Sequence, residues 1–462
     1  MAKNLREWIR EIGNFPGELN EVTKEINPLK YEASAILEKL DRQSSYPAVI
    51  YQKVKNVNGD SSQFRLLMNA FATTTKIGVA LGLKNPTRLQ IMNRYNQGQA
   101  GPLPVEVINP AEAPVMDLTM VGDQVDLRLL PIPRINQMDG GPYLTPIIVT
   151  RDPASGRYNV SWNRSMYIDR NHLGIWMSPR HLWSIFMRVE EEGGSLPVAF
   201  VLGHHPAFFL VGAGITPLTK DEYEVAGGIL GERLRVTESR TFGNRLFIPA
   251  DAEIVLEGEI VAGKRTIEGP FGEYTGYNGP QRLSWLVEVK AINARRDGIL
   301  LTIFGAHQDN IYAHYPIQAD IFANLKTVIP GVQDVSWVDS GGPLQIIISM
   351  KKKTEGEPLR AALQALSLSN LVKHVIVVDD DIDPGNLKQV MWALTTRVQA
   401  DRDVNILKGA QGQVLDPSLE EEIRGSNMII DATRPSGRPY ATKAVPPEEV
   451  VAGINLDDFF TR

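Results

Sequence analysis

The stretch AEIVLEGEIVAGKRTIEGPFGEYTGY, residues 252–277, runs from an apolar, β-branched segment into a turn carrying two carboxylates, Glu268 and Glu273, five positions apart. Its first part reads as strand. The glycines at 269, 272 and 276 let the backbone bend and let something flat come close, because a missing Cβ removes both the φ restriction and the bulk. A hairpin with its acids in water is the simplest reading, yet Pro270, Phe271, Tyr274 and Tyr277 make an exposed loop costly. Two acids held against apolar walls acquire raised, coupled pKa values, as a proton donor near neutral pH requires.

Outward from this stretch, strand-like segments dominate residues 111–305: YLTPIIVTRD, RYNVSW, PVAFVLG, AFFLVG, RLFIPADAEIVLEGEIV and SWLVEVKAINARRDGILLTIFG. Short strands at this density predict an antiparallel barrel or sandwich. Two helices interrupt it. One follows MSPRHL, where Ser178 can cap, Pro179 suits the first helical position, and Leu182, Ile185, Phe186 and Val189 form an apolar face. The other is TKDEYEVAGGILG, in which Thr219 and Glu222 have capping-box spacing. Residues 1–110 mix helices with a strand, YPAVIYQKV, and residues 306–330 read as a connecting helix. From 331 to 462 strands and helices alternate (LQIIISM, HVIVVDD, DVNIL), which predicts a parallel α/β unit ending in a Pro- and charge-rich arm.

At 462 residues the chain exceeds what one core supports. Forty-eight basic against 54 acidic residues, with no long block of one sign, give no nucleic-acid or polybasic membrane signature. The longest apolar run, PVAFVLGHHPAFFLVGAGI, is interrupted at Gly203, His204, His205 and Pro206, so it reads as two buried strands rather than a bilayer span. The opening MAKNLREWIREIG has the spacing of a surface helix and not of a signal sequence, so a cytoplasmic protein is expected. Absence of cysteine excludes disulfides, thiolate metal sites, iron–sulfur clusters and thiol nucleophiles. Chemistry must come from carboxylates, histidines, arginines, hydroxyls or a borrowed cofactor.

The segment YNVSWNRSMYIDRNHLGIWMSPRHL offers such groups: Asn159, Ser161, Asn163 and Arg164 cluster in strand-like sequence, and Arg164 is a cation able to pair with Glu268 or Glu273. His181 falls in the first turn of its helix, where backbone N–H groups favour an anion. Taken singly, His204, His205, His307 and His314 read as buried hydrogen-bonded residues, and Asp379, Asp380 and Asp381 as a solvated loop. VGAGIT lacks a full dinucleotide fingerprint.

Together these segments resemble the UbiD family of (de)carboxylases that use prenylated FMN. NVSWNR, SPRHL, GHHPA, TKDEYEVAGGILGERLRVTES, IPADAEIVLEGEI, EGPFGEYTGY and VMWALTTRVQADRD occur in family order along nearly the whole chain, and EGPFGE after AEIVLEG is the most specific of them. The resemblance implies an N-terminal α/β region, a central split β-barrel holding the flavin, a linker helix and a C-terminal α/β dimerisation domain, within a homodimer that can assemble into a hexamer. It implies a Glu-Arg-Glu network of Arg164, Glu268 and Glu273, with Glu273 as proton donor, and decarboxylation through a covalent flavin adduct. Asn159, His181 and Glu222 match the family's ligands for manganese or magnesium bridging to the flavin phosphate, and potassium often lies nearby. Cofactor contacts are implied for Ser161, Trp162, Asn163, Arg180, Gly212 and Ala213, and a substrate lining of Ile175, Trp176, Phe271 and His307 is expected. Glu222 is placed by its DE and AGG match; Thr237 stands where many relatives have cysteine, and Asn427 where a lysine often occurs. A flavin prenyltransferase would supply the cofactor. The substrate expected by analogy is an aromatic or heteroaromatic carboxylic acid. The alternatives are a cinnamic-type acid, a flavin-free metal-dependent hydrolase or lyase using His204 and His205, and a non-catalytic cofactor-carrying subunit.

Overall fold

The quoted stretch becomes a 15-residue strand, Ile254–Glu268, a bend, and a 13-residue return strand, Arg282–Ala294. The two pair antiparallel and close with Glu268 opposite Arg282, so the acid-bearing turn projects from the end of a long ladder. Register shifts after Glu257 and after Ile260 bend the pair. The computed structural model describes residues 2–338, 341–419, 423–437 and 439–460.

That ladder is the centre of a nine-stranded antiparallel sheet in the order Tyr143–Leu144, Ser165–Tyr167, His172–Ile175, Arg282–Ala294, Ile254–Glu268, Leu196–Val201, Ile147–Arg151, Tyr158–Trp162, with Leu118–Val121 beside the return strand. Among the described residues no ladder joins its two ends. Pro146 lacks an N–H for the ladder and separates Tyr143–Leu144 from Ile147–Arg151. Alternate side chains of the sheet feed two apolar cores, one shared with Val49, Tyr51 and Met68 of the N-terminal strands, the other reaching Trp8, Tyr223 and Ile346.

The N-terminal sheet orders Leu19–Val22, Ala48–Tyr51 and Arg65–Met68, and it is completed by Ile299–Thr302, which pairs parallel to Arg65–Met68. The chain therefore returns to its first region just before the helices Gln308–Ala313 and Tyr315–Val328. The last unit is a five-stranded sheet in the order Val332–Val338, Gly342–Met350, His374–Asp379, Arg424–Ala432, Val404–Gln411.

Several sequence expectations are corrected. AFFLVG is not a strand: Pro206–Val211 is a helix, buried on every side, with Pro206 at its start and His205 accepting from the Ala207 N–H. A helix with no solvent face shows no amphipathic period, so its apolar run is indistinguishable from a buried strand. DVNIL is a strand, but Val404–Gln411 lies antiparallel at the sheet edge, reached by only the short helix Ala400–Asp403 after Leu387–Arg397. Of the three aspartates read as a solvated loop, Asp380 is exposed, but Asp379 is buried and paired with Arg397 at 2.5 Å, and the half-buried Asp381 is paired with it at 2.9 Å.

Candidate active site

Arg164 follows the strand Tyr158–Trp162 and turns inward beneath the acid-bearing bend. Its guanidinium donates to Glu268 twice, from Nε at 2.8 Å and from a terminal nitrogen at 3.1 Å, while the other terminal nitrogen pairs with Glu273. All three residues are buried. Glu268 also accepts from the Tyr143 hydroxyl at 3.0 Å, and that same hydroxyl accepts the Gly269 N–H at 3.0 Å, which fixes the carboxylate against its own backbone. Gly269 is required here, since its φ is +92° and a Cβ would come 2.6 Å from the Pro280 carbonyl. Asp139 accepts the Gly272 N–H at 3.0 Å and steadies the far side of the bend. Phe271 covers the cluster, its ring 5.5 Å from the Arg164 guanidinium.

Burial raises the Glu273 pKa above the ordinary carboxylate value, Arg164 opposes this, and Glu268 adds to it. Burial alone would lower the Arg164 pKa, but the two carboxylates more than reverse that. The arrangement is a buried carboxyl with a raised pKa tied to a fixed cation.

This cluster borders a cavity of about 550 Å³, in the size range that encloses a drug-sized ligand. Asn159, Glu222 and His181 meet elsewhere on its wall. Asn159 Nδ2 donates to Glu222 at 2.9 Å, His181 Nδ1 lies 3.8 Å from the other Glu222 oxygen, and the Val160 N–H donates to Glu222. Thr219 does not cap this helix. Asp221 is the N-cap, accepting from the Tyr223 N–H, so Glu222 is the first helical residue and its side chain turns back toward the strand. Burial raises the Glu222 pKa, against its hydrogen bonds to His181 and Val160.

Asn159 Oδ1 is buried and has no hydrogen-bond partner among the described residues. An orphaned amide oxygen beside a carboxylate and an imidazole is the hard, mixed donor set that suits manganese or magnesium. The helix His181–Glu191 begins at this wall without a side-chain cap, Ser178 lying outside it, so its first N–H groups remain available to an anion. Arg180 faces the same space, and desolvation lowers its pKa. The residues present therefore fit a divalent ion and a phosphate.

Of the expected cofactor contacts, Ser161, Trp162, Asn163, Arg180, His181, Gly212 and Ala213 all line the cavity, as do Trp176 and Phe271. Ile175 and His307 do not. Ile175 shares the sheet face of Leu173 and packs into a core, because successive strand residues point to opposite faces. His307 stacks on Phe304 at 3.7 Å and bonds Asp41 at 2.8 Å, which turns it toward the N-terminal region. With Glu38 these two form the one cluster of three acid and imidazole groups close enough for a metal among the described residues. Asn427 bonds the Val372 carbonyl at 3.3 Å away from the cavity wall. His204 and His205 are almost fully buried and lie off that wall, and burial lowers both pKa values, that of His204 to about 3.

Sequence reading missed the wall contributed by Ser369, Asn370, Gln413 and Leu415 of the last unit, and by Asn310 and His314 of the connecting helices. His314 donates from Nδ1 to the Asn310 carbonyl at 2.8 Å, and burial lowers its pKa to about 4, leaving a neutral ring beside Tyr274.

Three family models match in succession: the 3-octaprenyl-4-hydroxybenzoate carboxy-lyase N-terminal domain over residues 14–94, its Rift-related domain over 106–308 and its C-terminal domain over 311–432. The chain is 31% identical to a phenolic acid decarboxylase of Sedimentibacter hydroxybenzoicus, covering 96% of this chain and 92% of the relative. It is 30% identical to an anhydromevalonate phosphate decarboxylase of Methanothermobacter thermautotrophicus, covering 93% and 97%. The fold superposes on the UbiD-class enzyme HmfF from Pelotomaculum thermopropionicum in complex with FMN, with a TM-score of 0.88, 32% identity, and coverage of 99% of this chain and 100% of that one. An evolved dimeric form of HmfF in complex with prFMN matches with a TM-score of 0.86 and 31% identity over 99% and 100% of the two chains. Three consecutive domain matches and a shared fold over almost the full length make this chain a member of the UbiD family, a carboxy-lyase.

Proposed function

We propose that the protein catalyses the reversible, non-oxidative decarboxylation of an aromatic or heteroaromatic carboxylic acid at a bound prenylated FMN. The observation that carries this reading is the placement of Arg164 and Glu273, backed by the buried Glu268, on the same cavity as Glu222, His181 and the unpartnered amide oxygen of Asn159. Asn159, His181 and Glu222 would hold manganese or magnesium against the flavin phosphate, with Arg180 and the uncapped helix start adding positive potential. Breaking the bond to the carboxylate leaves an electron pair on carbon, and prenylated FMN, when bound, supplies the electron sink.

The chain's own residues do the rest. Trp176, Phe271, Ile303 and Leu415 exclude water from the reacting end. Arg164 holds Glu273 in place and Glu268 holds Arg164, so the acid is aimed without reorganisation. Glu273 delivers the proton that replaces carbon dioxide and is then recharged from solvent; in the carboxylation direction it accepts that proton. We read the central sheet as the split barrel of the flavin domain, the units as breaking near residues 110, 305 and 330, and the last unit as the homodimer contact. A retired site would have no physical reason to keep three buried charges so fully satisfied.

The test is protein co-expressed with a flavin prenyltransferase and assayed for carbon dioxide release from aromatic, furan, pyrrole, phenazine and cinnamic-type acids. Near-ultraviolet and visible absorption with turnover of ring acids is expected. Colourless protein, or coloured protein inert on the whole panel, overturns the reading.

A further inference from the structure

One half-buried cation takes no part in the mechanism above. Arg282 opens the return strand opposite Glu268, and its guanidinium carbon sits 3.8 Å from the centre of the Trp176 ring. Its Nε and one terminal nitrogen are buried and find no hydrogen-bond partner among the described residues. Buried donors are nearly always paired, so an unpaired guanidinium next to two carboxylates calls for a cause. The geometry supplies one. Arg164 spends its hydrogen bonds on Glu268 and Glu273, while Arg282, placed over the indole and opposite Glu268 on the ladder, bonds neither acid yet lies close enough for its charge to be felt.

Charge counting sharpens the point. With both acids ionised, Glu268, Glu273 and Arg164 sum to one net negative charge in a buried site, and Arg282 brings the sum to zero. The groups facing Glu273 are Arg164 and Glu268 within the cluster, Tyr143 behind Glu268, Tyr274 next in the chain, and, from the last unit, Leu415, which packs over Gly279 beside the Glu273 side chain. Asp416 acts on Tyr274 but is itself paired with Lys373 at 2.7 Å, and Arg180 also acts on Tyr274. Arg282 is thus the one cation acting on Glu273 that makes no hydrogen bond to a carboxylate among the described residues.

We propose that Arg282 is a positioning residue for proton transfer: its charge, stacked on Trp176 instead of being neutralised in an ion pair, sets how readily Glu273 releases and regains its proton. This rests on Glu273 being the proton donor. A cation nearby favours the ionised acid, so removing it makes Glu273 hold its proton to higher pH. The donor must be protonated to act; the alkaline limb of the kcat profile should therefore move upward.

The experiment compares wild-type protein with Arg282→Met, Arg282→Gln and Arg282→Lys. In cofactor-loaded enzyme, Arg282→Met and Arg282→Gln should shift the alkaline limb up by about one pH unit. Arg282→Lys, which keeps the charge but loses the planar fork, should restore it. The same comparison in cofactor-free protein uses the carboxyl stretch in infrared difference spectra, with the Glu273 band assigned by its loss in Glu273→Gln. An upward shift in the two neutral variants, reversed by lysine, supports the proposal. An unmoved Glu273 titration in those variants, or an equal shift in the lysine variant, overturns it. Because the infrared reading needs no turnover, a wild-type enzyme inert on every acid would defeat the proposed reaction while still deciding the influence of Arg282 on Glu273.

Discussion

The two halves of the cavity wall are built on opposite principles. Around Arg164 almost every hydrogen-bonding valence is used: both Glu268 oxygens are bound, Glu273 is paired and Tyr143 closes the ring of contacts. Around Asn159 valences are left open: an amide oxygen without a partner, a helix start without a cap, and Arg180 facing the cavity. The first constellation is complete as folded. The second has room for a charged guest, the ion and phosphate proposed above. Preorganised groups should lose rate when altered and keep the ligand, whereas groups with open valences should lose the ligand first.

The largest effect expected is at the completed end. Glu273→Gln should lower turnover by roughly 10²- to 10⁴-fold while flavin remains bound, measured by carbon dioxide release against flavin absorbance. Wild-type rates would remove Glu273 from its role. Next comes stability. Arg164→Ala strands two buried carboxylates and should cost about 3–5 kcal/mol in urea unfolding. Asn159→Ala removes a single hydrogen bond to Glu222 and should cost only about 1 kcal/mol in the ligand-free protein. Manganese should then raise the unfolding midpoint of wild type but not of Asn159→Ala, since a ligand stabilises by binding the folded state alone. Equal stabilisation of both would take Asn159 out of the ion site.

Glu222 gives a smaller, signed effect. Burial raises its folded pKa above the unfolded value near 4.5, so its contribution is fully present below that pH and is lost as pH rises through the folded value. Ligand-free Glu222→Gln should therefore lose less stability than wild type between pH 4.5 and neutrality, by at most about 1.4 kcal/mol per pH unit. A metal ion, which favours the ionised form, should flatten the wild-type curve in the same way.

How much of this was legible in the chain follows from the range of the signals. The acid-bearing turn and its cation were readable, because Gly269, Phe271 and the strand-like flanks are local features and a lone Arg164 in strand sequence asks for an acid. Helix starts were misread for a physical reason: Ser178 and Thr219 carry good capping chemistry, yet one helix opens bare onto the cavity and the other is capped by Asp221. Pro206–Val211 was hidden because full burial erases periodicity. Arg282, Gln413 and Leu415 gave no local signal, since only ladder register brings Arg282 opposite Glu268, and only the docking of the last unit brings Gln413 to the cavity and Leu415 beside Glu273.

The smallest effect separates two neighbours. Ile175 ends its strand and Trp176 directly follows it, but Ile175 is fully buried in a core while Trp176 lines the cavity beneath Arg282. A register slip of one residue in the strand would turn Ile175 away from its core. Ile175→Val should cost about 1 kcal/mol of stability and leave the preference among acids unchanged. Trp176→Phe keeps a flat apolar wall but shortens it and loosens the platform under Arg282, so its signature should be an altered ranking of substrates by kcat/KM with little change in unfolding. If Ile175→Val re-ranks the acids and Trp176→Phe does not, the strand is out of register with this account, and the face carrying Gly174, whose added Cβ would meet Thr266 at 3.0 Å, would have to be reassigned with it.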